Sequence, residues 1–195
     1  MPAVILYGPP AAGKNTITRA LTQLDSNYRL YQPLKAGPGR TTGYRMTTLS
    51  HISSLRSTGS VIWETRRYNA LYIVDQAALT DMLTICIPVL HLGQAGAVQA
   101  VTGALPLAAQ WVTVWLWCPR DVAARRITER GTGDTAARLR AWDETPPLPE
   151  ADISINTAGI HPTGAAATIH HHIHTQHSNH SGHGPRATQR SRITN

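Results

Sequence analysis

The sequence predicts an α/β fold in which helices cover both faces of a mostly parallel sheet. Three observations point there. Apolar runs of strand length recur along the chain, helix-like stretches separate them, and the first run ends on a glycine-bounded turn that leads straight into a helical pattern. The alternation matters because parallel strands cannot be joined by a tight hairpin and need a crossover, which a helix supplies. With 195 residues and 42% hydrophobic side chains, the chain is long enough for one core of its own.

In chain order, Ala3–Tyr7 is an unbroken apolar run, the pattern of a strand buried on both faces. Lys14–Leu24 follows as a helix, with Ile17, Leu21 and Leu24 at helical spacing. The stretch Tyr28–Thr48 holds "LKAGPGRTTGYRMTT", short extended pieces around a Gly-Pro-Gly turn, and reads as an insertion. Further strands are expected at Ser60–Glu64, Ile85–Leu90, Val112–Cys118 and Ile153–Asn156, and further helices at Val74–Leu83, Gln94–Leu105 and Pro119–Arg130. From residue 169 the text becomes "IHHHIHTQHSNHSGHGPRATQRSRITN", in which seven histidines lie among Ser, Thr, Gly and Arg. That composition predicts a disordered tail, because it offers too little apolar surface to offset chain entropy. The irregular histidine spacing, without cysteine or carboxylate partners, specifies no metal geometry. The expected organisation is a folded domain over 1–168, an inserted region at about 28–72, a lid at about 130–141 and a tail over 169–195.

The net charge of +7 suggests an anionic partner. Lys14 and Lys35 are the only lysines, and both fall in glycine-bounded segments. Cys86 and Cys118 lie in apolar runs, where a reduced thiol behaves as a small hydrophobe, so no disulfide is expected. No segment reaches the ~18 unbroken apolar residues of a membrane span, and no leader precedes the first strand, so the expected location is cytoplasmic. His91, at a strand end, is expected to be satisfied by backbone.

The turn "GPPAAGKNT" spaces Gly8, Gly13 and Lys14 as a phosphate loop does. In such a loop the glycines let backbone N–H groups turn inward around phosphate oxygens, the next helix presents its positive end, and the lysine reaches the outer phosphates. Gly8, Pro9, Pro10, Ala11, Ala12, Gly13, Lys14, Asn15 and Thr16 are therefore the expected ATP-binding segment. Asn15 stands where a hydroxyl usually helps to hold Mg²⁺, and Thr16 is the candidate to supply that hydroxyl instead.

With this loop in place, residues 3–160 resemble the guanylate kinase-like branch of the P-loop nucleoside monophosphate kinases. The resemblance rests on the loop, on "LKAGPGRTTGY" with "GSVIWETRRYNALY", and most closely on "CPRDVAARRITERGTGDTAARLRAW". It implies a three-layer P-loop fold with a small acceptor-binding insertion and an arginine-rich lid. By position it makes Arg126, Arg130 and Arg138 a phosphate clamp acting with Lys14, and Lys35, Arg40, Tyr44, Glu64 and Tyr72 the acceptor-binding set. Implied cofactors are ATP and Mg²⁺, with Thr16 on the metal, and the implied partner is a phosphorylated small molecule, most directly a nucleoside monophosphate. Neither nucleic acid nor a membrane is expected as a partner, and the oligomeric state stays open. One departure matters: the family's acid at the end of the third core strand is missing, and "PVLHLGQAG" offers His91 and Gly93. Ribose bisphosphate phosphokinases share that feature, so a sugar phosphate acceptor stays open, as does a catalytically silent nucleotide-binding module.

Overall fold

The computed structural model describes residues 1–105, 109–131 and 133–180, with side chains described as far as 175. The first apolar run forms β1 (Pro2–Tyr7), whose residues from Ala3 onward are all buried. It lies at the centre of a five-stranded, wholly parallel sheet with β2 (Tyr28–Leu30), β7 (Ile87–Leu92), β8 (Gln110–Trp117) and β9 (Ile153–Asn156), in the order β2-β7-β1-β8-β9. β1 pairs with β7 on one side and β8 on the other, so the order reverses at its carboxyl end. That is where ligands gather in open α/β sheets.

Helices cover both faces, as the alternation predicts. On one side α1 (Lys14–Leu24) and the C-terminal helix α7 (Pro162–His180) pack together through Ile17, Leu21, Ala165, Ile169 and Ile173. On the other, α3 (Gln76–Ile85) and α4 (Ala95–Ala104) bury Leu79, Leu83, Val98 and Val101. Asp75 caps α3, its side chain accepting from the Ala78 amide.

A second sheet, order β4-β3-β6-β5, is built from β3 (Leu34–Ala36), β4 (Arg45–Met46), β5 (Val61–Arg67) and β6 (Ala70–Asp75), and is backed by α2 (Leu49–Ser57). β5 and β6 form a hairpin whose two turn residues, Tyr68 (φ 50) and Asn69 (φ 58), both take the left-handed conformation that matches the twist of paired strands. After β8 come α5 (Arg120–Glu129) and α6 (Thr135–Asp143), joined through a glycine-containing turn; the segment expected as a lid, about 130–141, spans this turn and most of α6.

Three expectations are corrected. Tyr28–Leu30 is a strand of the main sheet, so the insertion begins after it. Ser60–Glu64 is part of β5 in the small sheet, and its partner β6 occupies residues where the sequence suggested the start of a helix. The chain from 169 is not a tail as far as His180: α7 continues through it, because Ile169 and Ile173 complete an apolar stripe with Ala165 and Ala166 that α1 covers. The remainder of that segment lies outside the described residues. Cys86 and Cys118 are free and buried, as expected. Among the described residues, no helix is long and apolar enough to cross a membrane.

Candidate functional site

The turn after β1 owes its shape to two glycines. A Cβ on Gly8 would lie 2.1 Å from the Leu116 carbonyl oxygen, so β8 can run this close only past a glycine. Gly13 has φ 89, the left-handed geometry that ends the loop and opens α1, and Ala11 has φ 63, uncommon for a residue with a side chain. Among the described residues, the amides of Gly13, Lys14, Asn15 and Thr16 have no protein acceptor. α1 has neither a side-chain cap nor an acidic residue in its first turn. Its positive end is left for an anion.

Lys14 turns back over this loop, its ammonium donating to the carbonyls of Gly8 and Pro9, the latter at 2.9 Å. Burial, and then the neighbouring Arg130, push its pKa down from 10.5 to about 7. Arg130 is itself disfavoured as a cation, first by burial and then by Arg138, Arg126 and Arg40. His91, next to last in β7, lies beside Lys14; burial and that lysine push it down to about 3, so it is neutral. Its Nε2 lies 2.7 Å from Thr18 Oγ1, so a side chain satisfies it and not the backbone as expected. Positive groups crowded at mutual cost are the arrangement an incoming anion relieves.

The loop opens on a cavity of about 800 Å³ between the main sheet, the small sheet and the lid. Gly8, Pro10, Ala11, Ala12, Gly13, Lys14 and Asn15 line it from the loop; Lys35, Arg40, Tyr44 and Tyr72 from the insertion; and Arg130 and Arg138 from the lid. Asp134 is the one carboxylate residue lining it among the described residues, and Arg138 Nε binds it at 2.6 Å. Tyr44 and Tyr72 meet at a tilt of 57° with 5.3 Å between ring centroids, and the Lys35 ammonium lies over both. Lys35 is 1% exposed and donates to the carbonyls of Pro38 (2.7 Å) and Arg40 (2.6 Å), so it ties down the very loop that carries Arg40. The Arg138 guanidinium lies 5.6 Å from the Tyr68 ring, and Arg67 Nη1 is 3.8 Å from Glu144, so the hairpin tip and the lid meet.

A second cavity of about 470 Å³ lies on the other side of the loop, lined by Thr16, Arg126, Arg130, Thr157 and the chain leading into α7. Of the expected set, Thr16 and Arg126 line only this second cavity, Ala11, Gly13 and Arg130 line both, and Pro9 lines neither. Arg126 donates to the Ala11 carbonyl (3.1 Å) and to Thr157 Oγ1 (3.1 Å) and carbonyl (2.9 Å), which fixes it behind the loop. Glu64 is not brought to either cavity. Its carboxylate takes two hydrogen bonds from Arg56 of α2, at 2.8 and 2.6 Å. Alternation along β5 is the reason: Trp63, Thr65 and Arg67 share the cavity face, so Glu64 has to point the other way.

The sequence matches no protein-family model and no curated protein sequence. Solved structures do resemble the chain. Guanylate kinase from Anaplasma phagocytophilum superposes with a TM-score of 0.58 at 12% identity, over 90% of this chain and 85% of that one. A gluconokinase from Sinorhizobium meliloti 1021 superposes with a TM-score of 0.54 at 15% identity, over 93% of this chain and 98% of that one. The chain shares the α/β fold of these two structures.

Sequence reasoning missed several residues of the larger cavity, namely Trp63, Thr65, Arg67, Tyr68 and Gln94, and the Thr18 partner of His91. The first four were within reach. Continuing the strand pattern past Glu64 to the Tyr-Asn turn puts alternate residues on one face.

Proposed function

We propose that this protein is an ATP-dependent phosphotransferase that moves the γ-phosphoryl group of ATP to a phosphorylated small-molecule acceptor. One observation carries the reading. Around the larger cavity, unsatisfied loop amides converge with Lys14, Arg130 and Arg138, while Asp134, the only lining carboxylate among the described residues, is already paired. The donor's phosphates would lie along Gly8–Lys14 with Lys14 swung off its two carbonyls onto them. The second cavity, across the loop, suits the donor's nucleoside.

Catalysis on this reading is positioning and charge neutralisation. An ionised acceptor phosphate needs no strong general base. Arg130, at the lid turn and facing both cavities, stands where charge would spread as the phosphoryl group moves. Arg40, on the loop that Lys35 clasps, and the Tyr44–Tyr72 pair would hold the acceptor's phosphate. Mg²⁺ would have to be carried in on the nucleotide: Thr16, the hydroxyl expected on the metal, lines the second cavity and not the one that would hold the outer phosphates, and no cluster of three potential ligands occurs among the described residues. When bound, that ion would neutralise the outer phosphates.

The nucleoside monophosphate reading draws on the resemblance and on the tyrosine-lined rim. A sugar phosphate acceptor is favoured over a guanine nucleotide by the orientation of Glu64. A guanine edge would meet Trp63, Thr65 and Gln94 in this cavity and no free carboxylate for its N–H donors. The deciding experiment is ATP consumption by the purified chain against a panel of nucleoside monophosphates and pentose phosphates. Turnover with one acceptor establishes the reading. Nucleotide binding without turnover across the panel identifies a silent binding module, and absence of nucleotide binding removes the reading altogether.

A further inference from the structure

We infer that Arg126 is a positioning residue that holds the phosphate loop in its binding shape through the Ala11 carbonyl, and is not a phosphate ligand. The inference rests on the nucleotide-binding reading of the loop and assigns Arg126 a role different from the one its place in the lid helix implied.

The backbone strain in the loop sits at Ala11. It is the only residue with a side chain at positive φ in the loop, with φ 63, and for an L-residue that conformation carries an intrinsic penalty which its surroundings must offset. Its methyl group packs among Cys118, Ala123 and Ile127, but that contact fixes the side chain, not the direction of the peptide that follows. The direction is set by that peptide's own two bonds: the Ala12 amide donates to the Pro9 carbonyl at 3.3 Å, and the Ala11 carbonyl accepts from Arg126 Nη1 at 3.1 Å. With this carbonyl held outward against α5, the amides from Gly13 onward are left facing inward.

Arg126 is itself held from behind. Its Nη1 and Nη2 donate to Thr157 Oγ1 and carbonyl, Thr157 Oγ1 donates to the Trp117 carbonyl at 3.2 Å, and the Thr157 amide donates to the same oxygen at 2.8 Å. The guanidinium therefore ties the loop to the ends of β8 and β9 at once. A planar fork can reach both partners together; an ammonium could not.

A brace and a ligand respond differently to one second substitution. Glycine at position 11 takes positive φ without penalty, so Ala11→Gly lets the loop reach its shape unaided. ATP affinity of the full chain is measured by calorimetry for wild type, Arg126→Ala, Ala11→Gly and the double variant, with melting temperature recorded for each. The expected result is a loss of about tenfold in Arg126→Ala, the scale of a left-handed penalty no longer offset, with most of it recovered in the double variant. Arg126→Lys should behave like Arg126→Ala, although it keeps the charge. Amide spectra without nucleotide should show the Gly13–Thr16 signals moved in Arg126→Ala and returned in the double variant.

Additive losses, or near wild-type affinity in Arg126→Lys, would overturn the brace and make Arg126 a direct electrostatic contact. The spectra also separate the two readings. A wild-type protein that fails to bind ATP sinks the phosphotransferase proposal, whereas unmoved Gly13–Thr16 signals in Arg126→Ala sink the brace on their own.

Discussion

Replacing Lys14 by methionine should abolish phosphoryl transfer and yet make the protein harder to melt. The ammonium is held in a buried position with Arg130 beside it, and its pKa falls from 10.5 to about 7. At 1.36 kcal/mol per pKa unit, that fall corresponds to at most ~5 kcal/mol against the charged form. Methionine removes this cost but also the bonds to the Gly8 and Pro9 carbonyls, worth ~1.5 kcal/mol each because the donor is charged. A net gain of ~2 kcal/mol remains, which for a chain of this length raises Tm by ~4–8 °C. The pH dependence has a definite sign. A lysine whose folded-state pKa lies below its unfolded value weakens the fold fully below about pH 7, and the loss fades as pH rises toward 10.5, because only the folded state has then released its proton. Melting curves of both proteins at pH 6 and pH 9.5 should show the larger gap at pH 6. A Lys14→Met protein that melts at or below the wild-type temperature at pH 6 refutes the reasoning. With Lys14 lowered to about 7, ATP binding at pH 8 should take up a proton, readable by calorimetry in buffers of different ionisation enthalpy.

Arg130→Ala should lower kcat by ~10²–10³, the usual cost of losing one charge-stabilising group, with Tm within ~2 °C of wild type. Glu64→Gln should leave acceptor KM and kcat unchanged and shift stability by no more than ~1 kcal/mol, since its exposed pair with Arg56 faces away from the cavity; a rise in acceptor KM would return it to the site. Lys35→Met should raise acceptor KM ~10-fold with little change in ATP affinity, because the loop carrying Arg40 loses its clasp. Ile173→Ala should destabilise by ~2–4 kcal/mol in denaturant unfolding, as for a core methyl-rich side chain; no effect would mean that α7 does not pack as described.

The strand, turn and helix around Gly8–Lys14 were readable because their signals are local. Two glycines, a lysine, a preceding apolar run and a following helical period occupy about twenty residues, and no distant contact alters their meaning. β2 was not readable, since three residues, Tyr-Arg-Leu, become a strand only by pairing with β7. The β6 boundary was missed although Asp75 announces it, being a helix-capping residue just before Gln76. α7 was hidden by composition. Its histidines dominate the text, while helix formation depends on Ala165, Ala166, Ile169 and Ile173 meeting α1, a tertiary gain that composition does not register. Glu64 was misplaced by one register step, and in a strand a single step exchanges one face for the other.

The contact between the β5–β6 hairpin and the lid bears on traffic through the larger cavity. Its two links, Tyr68 with Arg138 and Arg67 with Glu144, are each worth ~0.5–1 kcal/mol at such exposure. Together they hold the hairpin tip against the end of the chain's α6 segment by no more than ~2 kcal/mol, which leaves a parted state at a few per cent or more. Small molecules would then come and go through a door that thermal motion opens unaided, and an acceptor bridging the tyrosines and the lid arginines would itself be the bolt.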